Sequence, residues 1–226
     1  PLMTSFKLKI LALVTMLIDH VGWMLFPEIG ILRDIGRLSF PIFAFLIAEG
    51  SIKTSNINSY LNRLIIFGFV SQIPYSISGY LVTGNVYVLN IFFTLAAGLF
   101  LIKLIQQKKY FSFGISILIF SIIDFYTHYD YGVYGLLLIL FSYILIKNQI
   151  WGTLAIIVLT IVESIKLPVG QFSISQIEFR NQIFAILSLV PIILYKGEQG
   201  TKIAKWYFYI FYPLHLLILS LVFVLL

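Results

Sequence analysis

The chain has 226 residues, of which 60% are hydrophobic and only 11% charged, with a mean hydropathy of +1.01 and a net charge of +6 at pH 7. Soluble domains carry roughly 25% charged residues, so a water-soluble globule is excluded. No basic patch with interleaved aromatics offers a nucleic-acid surface, and the lack of cysteine excludes disulfides, thiol catalysis and cysteine zinc sites.

The apolar runs are continuous rather than alternating, which predicts an all-α, polytopic integral membrane bundle and not a barrel. Roughly 20 apolar residues cross the hydrocarbon core. On that ruler about nine spans are expected, near 7–26, 36–53, 60–80, 85–105, 110–126, 132–147, 150–167, 181–196 and 204–226, forming a single domain over 1–226. The second and sixth are short enough to be re-entrant. The first lacks a small-residue cleavage site and leads into further spans, so it is expected to stay as a span.

Loop charges set the orientation. With the amino terminus cytoplasmic, Lys7, Lys9, Lys53, Lys103, Lys108, Lys109, Lys147, Lys196, Lys202 and Lys205 all fall inside. Glu28, Asp34, Asp124, Asp130, Glu163 and Glu178 then fall outside, with Arg33, Lys166 and Arg180. This is the positive-inside pattern, and it places the carboxyl terminus outside. Bacterial cytoplasmic membrane is the expected location, with lipids as the surrounding partner.

The first span holds "TMLIDHVGWML" (Thr15 to Leu25). Asp19 and His20 come about ten residues after Lys9, roughly 15 Å deep at about 1.5 Å per residue. Charged groups at that depth face a protein interior or a cavity and mark function by default. Neighbours on a helix point about 100° apart, so the two cannot share one small target. His20 is suited to take and return a proton near neutrality; a polar contact between helices is the plainer reading.

In "IGRLSFPIFAFLIAEG" (Ile35 to Gly50), Arg37 is expected near the outer end of the second span and Glu49 near its inner end. Pro41 between them predicts a kink that opens a pocket beside His20. Snorkelling to headgroups is the alternative for Arg37. In "SYLNRLIIFGFVSQIPYSI" (Ser59 to Ile77), Arg63 lies at the cytoplasmic end, with Ser71, Gln72 and Pro74 deeper. A guanidinium there suits a phosphate-bearing donor such as a nucleotide or coenzyme A, or serves as a simple anchor.

Between spans, "IDFYTHYDYG" (Ile123 to Gly132) offers Asp124, His128 and Asp130 either as an acidic cluster for a cationic amine or as solvated loop charges. "ESIKLPVGQFSISQIEFRNQ" (Glu163 to Gln182) is longer and polar, with Pro168-Val169-Gly170 marking a turn. The last span carries "WYFYIFYPLHLLIL" (Trp206 to Leu219), where His215 lies about ten residues past Lys205 and Tyr212 shares its face. Pro213 loosens the backbone between them. The histidines and acids show no metal-ligand spacing, and neither a P-loop nor a G-x-S-x-G elbow occurs.

"KLKILALVTMLIDHVGWMLFP", "IGRLSFPIFAFLIAEG", "YLNRLIIFGFVSQIPY", "LNIFFTLAAGL", "DYGVYGLLLIL" and "WYFYIFYPLHLLIL", in that order, resemble the TraX family over nearly the whole chain. Its members are integral membrane proteins linked to amino-terminal acetylation of conjugative pilin, and are more distantly similar to the membrane acyltransferases that include acyltransferase family 3. The resemblance implies acetyl transfer from cytoplasmic acetyl-coenzyme A to an outer acceptor, either the amino terminus of a pilin or other anchored protein, or an envelope glycan. Carried over, the motif residues are Asp19 and His20, Gly36 to Pro41, Arg63, and Tyr212 to His215. His20 is then expected as general base, Arg37 or His215 as thioester-orienting or oxyanion-stabilising group, and Asp19 as an orienting group. Arg63, Tyr212 and Gln72 are expected on the donor. A proton-coupled transporter, which would favour inverted repeats with broken helices, and a non-catalytic assembly factor are the rival classes; specific coenzyme A binding separates them.

Overall fold

Four helices begin on a side chain that accepts a free amide at the helix start, the ordinary solution for the orphan donors there. Thr4 accepts from the Lys7 amide at 3.3 Å, Asn56 from Ser59 at 2.9 Å, Asn90 from Phe92 at 3.0 Å and Asn148 from Trp151 at 3.2 Å. The computed structural model describes residues 2–84, 88–127, 130–166, 178–179, 181–201, 204 and 206–226. Within them the helices are α1 (Ser5–Met24), α2 (Gly30–Gly36), α3 (Ser39–Lys53), α4 (Ile57–Thr83), α5 (Ile91–Gln106), α6 (Tyr110–Thr127), α7 (Gly132–Lys147) and α8 (Gln149–Ser164). A 3-10 helix, Asn181–Ser188, then runs into α9 (Leu189–Leu194), and α10 is Trp206–Leu225. The strand content described is one antiparallel pairing of Ile165–Lys166 with Glu178–Phe179.

α3, α5 and α7 form the centre, where Ile42, Leu99, Ile102, Leu136 and Ile139 are fully buried. α7 and α8 are joined through Asn148, whose amide closes α7 on the Ile144 carbonyl (2.7 Å) while its side chain opens α8. Gly152 lets them touch, since a Cβ there would meet the Leu145 backbone. α10 packs on α4 and α1, and Ser78 and Ser220 share a buried hydrogen bond of 2.9 Å across α4 and α10. The first amides of α1 donate to the carbonyls of Glu198 and Gln199.

α4, α6 and α10 are long and apolar enough to cross a membrane. Their outward faces are apolar, with Phe69 and Ile73, Phe111 and Leu118, and Leu221 and Val224 exposed. A shell of that kind is solvated by lipid rather than water. The chain is therefore a helical membrane protein.

Several expectations change. The segment expected as a span over 36–53 is α3 from Ser39, and a separate seven-residue helix, α2, precedes it. Arg37 sits at their junction, and Pro41 falls in the first turn of α3, where a missing amide breaks no helical bond. It makes no mid-helix kink. The span expected over 85–105 starts at Ile91, with 85–87 outside the described residues. The 181–196 segment is 3-10 before it is α-helical. Pro168-Val169-Gly170, His128, Arg180, Lys202 and Lys205 lie outside the described residues.

Candidate active site

Asp19 and His20 diverge as helix geometry requires. Asp19, near the end of α1, meets two arginines: Arg33 Nη1 at 2.7 Å on one carboxylate oxygen and Arg37 Nη2 at 2.6 Å on the other. Arg33 also donates to the Asp19 carbonyl (3.1 Å), and Arg37 Nε to the Arg33 carbonyl (3.2 Å). Gly36 makes room for this clamp, since a Cβ there would collide with the Asp19 carboxylate. Asp19 thus orients the short α2 and both its cations. Arg33, which the sequence reading leaves among loop charges, belongs to the site.

His20 turns instead to α10. Its Nδ1 lies 2.8 Å from His215 Nε2, and His215 Nδ1 lies 2.8 Å from the Phe211 carbonyl oxygen. The carbonyl only accepts, so with both imidazoles neutral His215 carries its proton on Nδ1. His215 Nε2 is then the acceptor, His20 Nδ1 the donor, and His20 Nε2 the remaining lone pair. Both nitrogens of His215 are taken. It positions His20 and has no donor left for an oxyanion.

His20 lines a cavity of about 830 Å³ between α1, α3, α4, α5, α7 and α10. Toward one end it is bordered by Lys9, Lys53, Tyr60 and Arg63, and toward the other by Arg33, Arg37, Asp130, Tyr131, Glu163 and Gln182. The Arg63 guanidinium lies 5.4 Å from the Tyr60 ring centroid, and Lys9 sits 5.2 Å from that of Phe208. Lys53 is paired with Glu49 (2.7 Å) and donates to the Tyr195 hydroxyl and the Gly197 carbonyl, both at 3.0 Å; Tyr195 in turn donates to Glu49. Among the described residues, no carboxylate lies within ion-pair distance of Lys9 or Arg63.

At the other end, burial pushes the Asp130 carboxyl up to about 6, against the pull of Arg37 and with the Asp19 carboxylate adding to the rise. The folded chain therefore holds this proton more tightly than the unfolded one, and stability falls as pH rises from about 4 to about 6. Wild type should gain thermal stability relative to Asp130→Asn as pH falls from about 6 to about 4. Parallel melting curves across that range would contradict the assignment.

The structure thus brings Asp19, His20, Arg37, His215, Tyr212 and Arg63 around or beside one cavity. Gln72 is engaged elsewhere: its amide donates to the Val88 carbonyl (3.0 Å) and Ser76 hydroxyl (3.2 Å), and its oxygen accepts from Asn90. It fixes the start of α5 rather than the cavity wall. Asp124 accepts the Val133 amide at 3.0 Å at the start of α7. Among the described residues, no three His, Cys, Asp or Glu side chains are grouped to hold a metal ion.

Residues 5–223 match the TraX protein family. The chain is 28% identical to the probable fimbrial assembly protein FimC, serogroup H1, of Dichelobacter nodosus, with 96% of this chain and 94% of that protein covered. It is also 39% identical to the uncharacterized protein RP591 of Rickettsia prowazekii (strain Madrid E), over only 29% of this chain and 25% of that one. No solved structure matches the chain.

Proposed function

The chain belongs to the TraX family, and from that premise we propose that it is a membrane acetyltransferase that moves an acetyl group from cytoplasmic acetyl-coenzyme A to an amine on the far side, the amino terminus of a pilin or other anchored protein. The observation that carries this reading is the lone pair left on Nε2 of His20, fixed by His215, on a cavity bordered by Lys9, Lys53 and Arg63 at one end and by Arg33, Arg37, Asp130 and Glu163 at the other. The topology that goes with it has about nine crossings, the amino terminus inside and the carboxyl terminus outside. Lys7, Lys9 and Lys53 gather at one end of α1 and α3, while Arg33, Asp34 and Asp130 lie at the other. The fimbrial assembly name of the Dichelobacter relative favours a pilus-related acceptor.

The chemistry balances without a further reagent. The acceptor amine attacks the thioester carbonyl carbon, and His20 Nε2 takes the proton it gives up. The imidazolium so formed donates more strongly through Nδ1 to His215. That attack forms the C–N bond; collapse of the tetrahedral intermediate then restores the carbonyl and breaks the C–S bond, and the sulfur leaves with the proton from His20, regenerating the neutral pair. Acetyl-coenzyme A fits the residues present: Arg63, with its planar fork, and Lys9 would hold phosphates. Lys53 is already neutralised by Glu49.

Arg63→Ala should therefore raise KM for acetyl-coenzyme A by about 10- to 100-fold with kcat nearly unchanged, the scale of one charge-assisted hydrogen bond. Steady-state kinetics on purified protein, with labelled acetyl-coenzyme A and a peptide amine, checks this. Wild type without acetyl transfer, or an Arg63→Ala variant with the wild-type KM, would contradict the reading.

A further inference from the structure

Tyr212 is the buried polar group in the cavity wall that the scheme so far leaves unused. It is 3% exposed, and among the described residues its hydroxyl makes no hydrogen bond. The polar group that bears on its oxygen is the Ile91 amide, a donor, which leaves the hydroxyl hydrogen uncommitted. A buried hydroxyl without a partner costs about 1–3 kcal/mol, so nearly all such groups in folded proteins are satisfied. Tyr212 lines the cavity beside His20, with its hydroxyl hydrogen lacking an acceptor among the described residues.

Its neighbours narrow the substrate atom. The phenol ring stands edge-on to both histidines, with centroids 6.2 Å from His20 and 5.6 Å from His215. Phe92 holds it in a T-shaped contact at 5.4 Å. An acetyl thioester presented to the His20 base has one new need during attack, a donor for the oxygen that becomes negative. His215 cannot supply it, because both its nitrogens are engaged. Arg37 is held on Asp19 and the Arg33 carbonyl.

We infer that the Tyr212 hydroxyl donates the hydrogen bond that stabilises the oxyanion formed when the acceptor attacks the acetyl thioester. This rests on the acetyltransferase reading and adds a catalytic residue to it. The donated proton stays on the phenol throughout. The thioester carbonyl carbon gains the acceptor nitrogen, its π electrons move onto the oxygen that Tyr212 holds, and they return when the C–S bond breaks.

The test is Tyr212→Phe, read in both rate and stability. The variant should lose about 10²-fold or more in kcat, the usual effect of deleting one oxyanion donor, with KM for acetyl-coenzyme A nearly unchanged. It should melt near the wild-type temperature, since among the described residues the hydroxyl hydrogen has no acceptor to lose. A structural tyrosine would give the reverse, a lowered melting temperature with kcat kept. Wild-type kcat in the variant, or a variant that fails to fold, overturns the assignment and leaves the acetyltransferase reading standing. No transfer by wild type overturns both.

Discussion

His20→Ala should reduce acetyl transfer by about 10²–10⁴-fold in kcat, the range contributed by a positioned general base, while the protein still folds and still binds coenzyme A. His20 reaches across 195 positions of sequence to His215, donating to its Nε2 at 2.8 Å. Replacing His215 by Gln should cost less than replacing His20, because it disturbs the tautomer and aim of the base without removing it. The order of the two losses is therefore diagnostic. If His215→Gln abolished transfer and His20→Ala spared it, the roles would be exchanged. Comparing the two variants by single-turnover rates, with binding measured separately, decides between these outcomes.

Asp19→Ala should be the most destabilising change at the site. The carboxylate is 12% exposed and holds Arg37, 16% exposed, and Arg33, 31% exposed, one on each oxygen. Removing one partner of a buried ion pair costs about 3–5 kcal/mol, because the charge left behind stays out of water. Arg33 reaches solvent and recovers part of its hydration, so about 3 kcal/mol is expected. Thermal unfolding in detergent reads this directly. A double-mutant cycle with Arg37→Met should show strong coupling, since the two residues share one interaction. An Asp19→Ala protein as stable as wild type would mean that the clamp does not hold α2 on α1.

Much of this arrangement is legible in the residues themselves. Costly polar groups in apolar runs marked Asp19, His20, Arg37, Arg63, Tyr212 and His215, and the structure gathers them because only a shared interior can solvate them. The divergence of Asp19 and His20 follows from their adjacency on one helix. The span expected over 132–147 coincides with α7, since Gly132 and Asn148 mark its ends in the sequence.

The rest depends on contacts that local pattern does not encode. α2 has only seven residues, too short for a periodic signal, so Arg33 reads as a loop charge and Pro41 as a kink. Gln72 looks like a ligand group because a polar residue in an apolar helix satisfies either a ligand or a neighbour; its partner Asn90 is the cap of another helix, α5. Tyr212 falls on the right face from spacing alone. That its hydroxyl hydrogen lacks an acceptor among the described residues emerges only once α5 and α10 are packed.

The central claim is transfer across the bilayer, and sealed proteoliposomes test it most directly. Labelled acetyl-coenzyme A would be trapped on the side of Lys9 and Arg63, and a peptide with a free amino terminus supplied only on the side of Asp130. The account predicts label on the peptide amine with wild-type protein, and loss of about 10²-fold or more with His20→Ala. Folded, correctly oriented wild-type protein that leaves the peptide unlabelled while binding coenzyme A would contradict it.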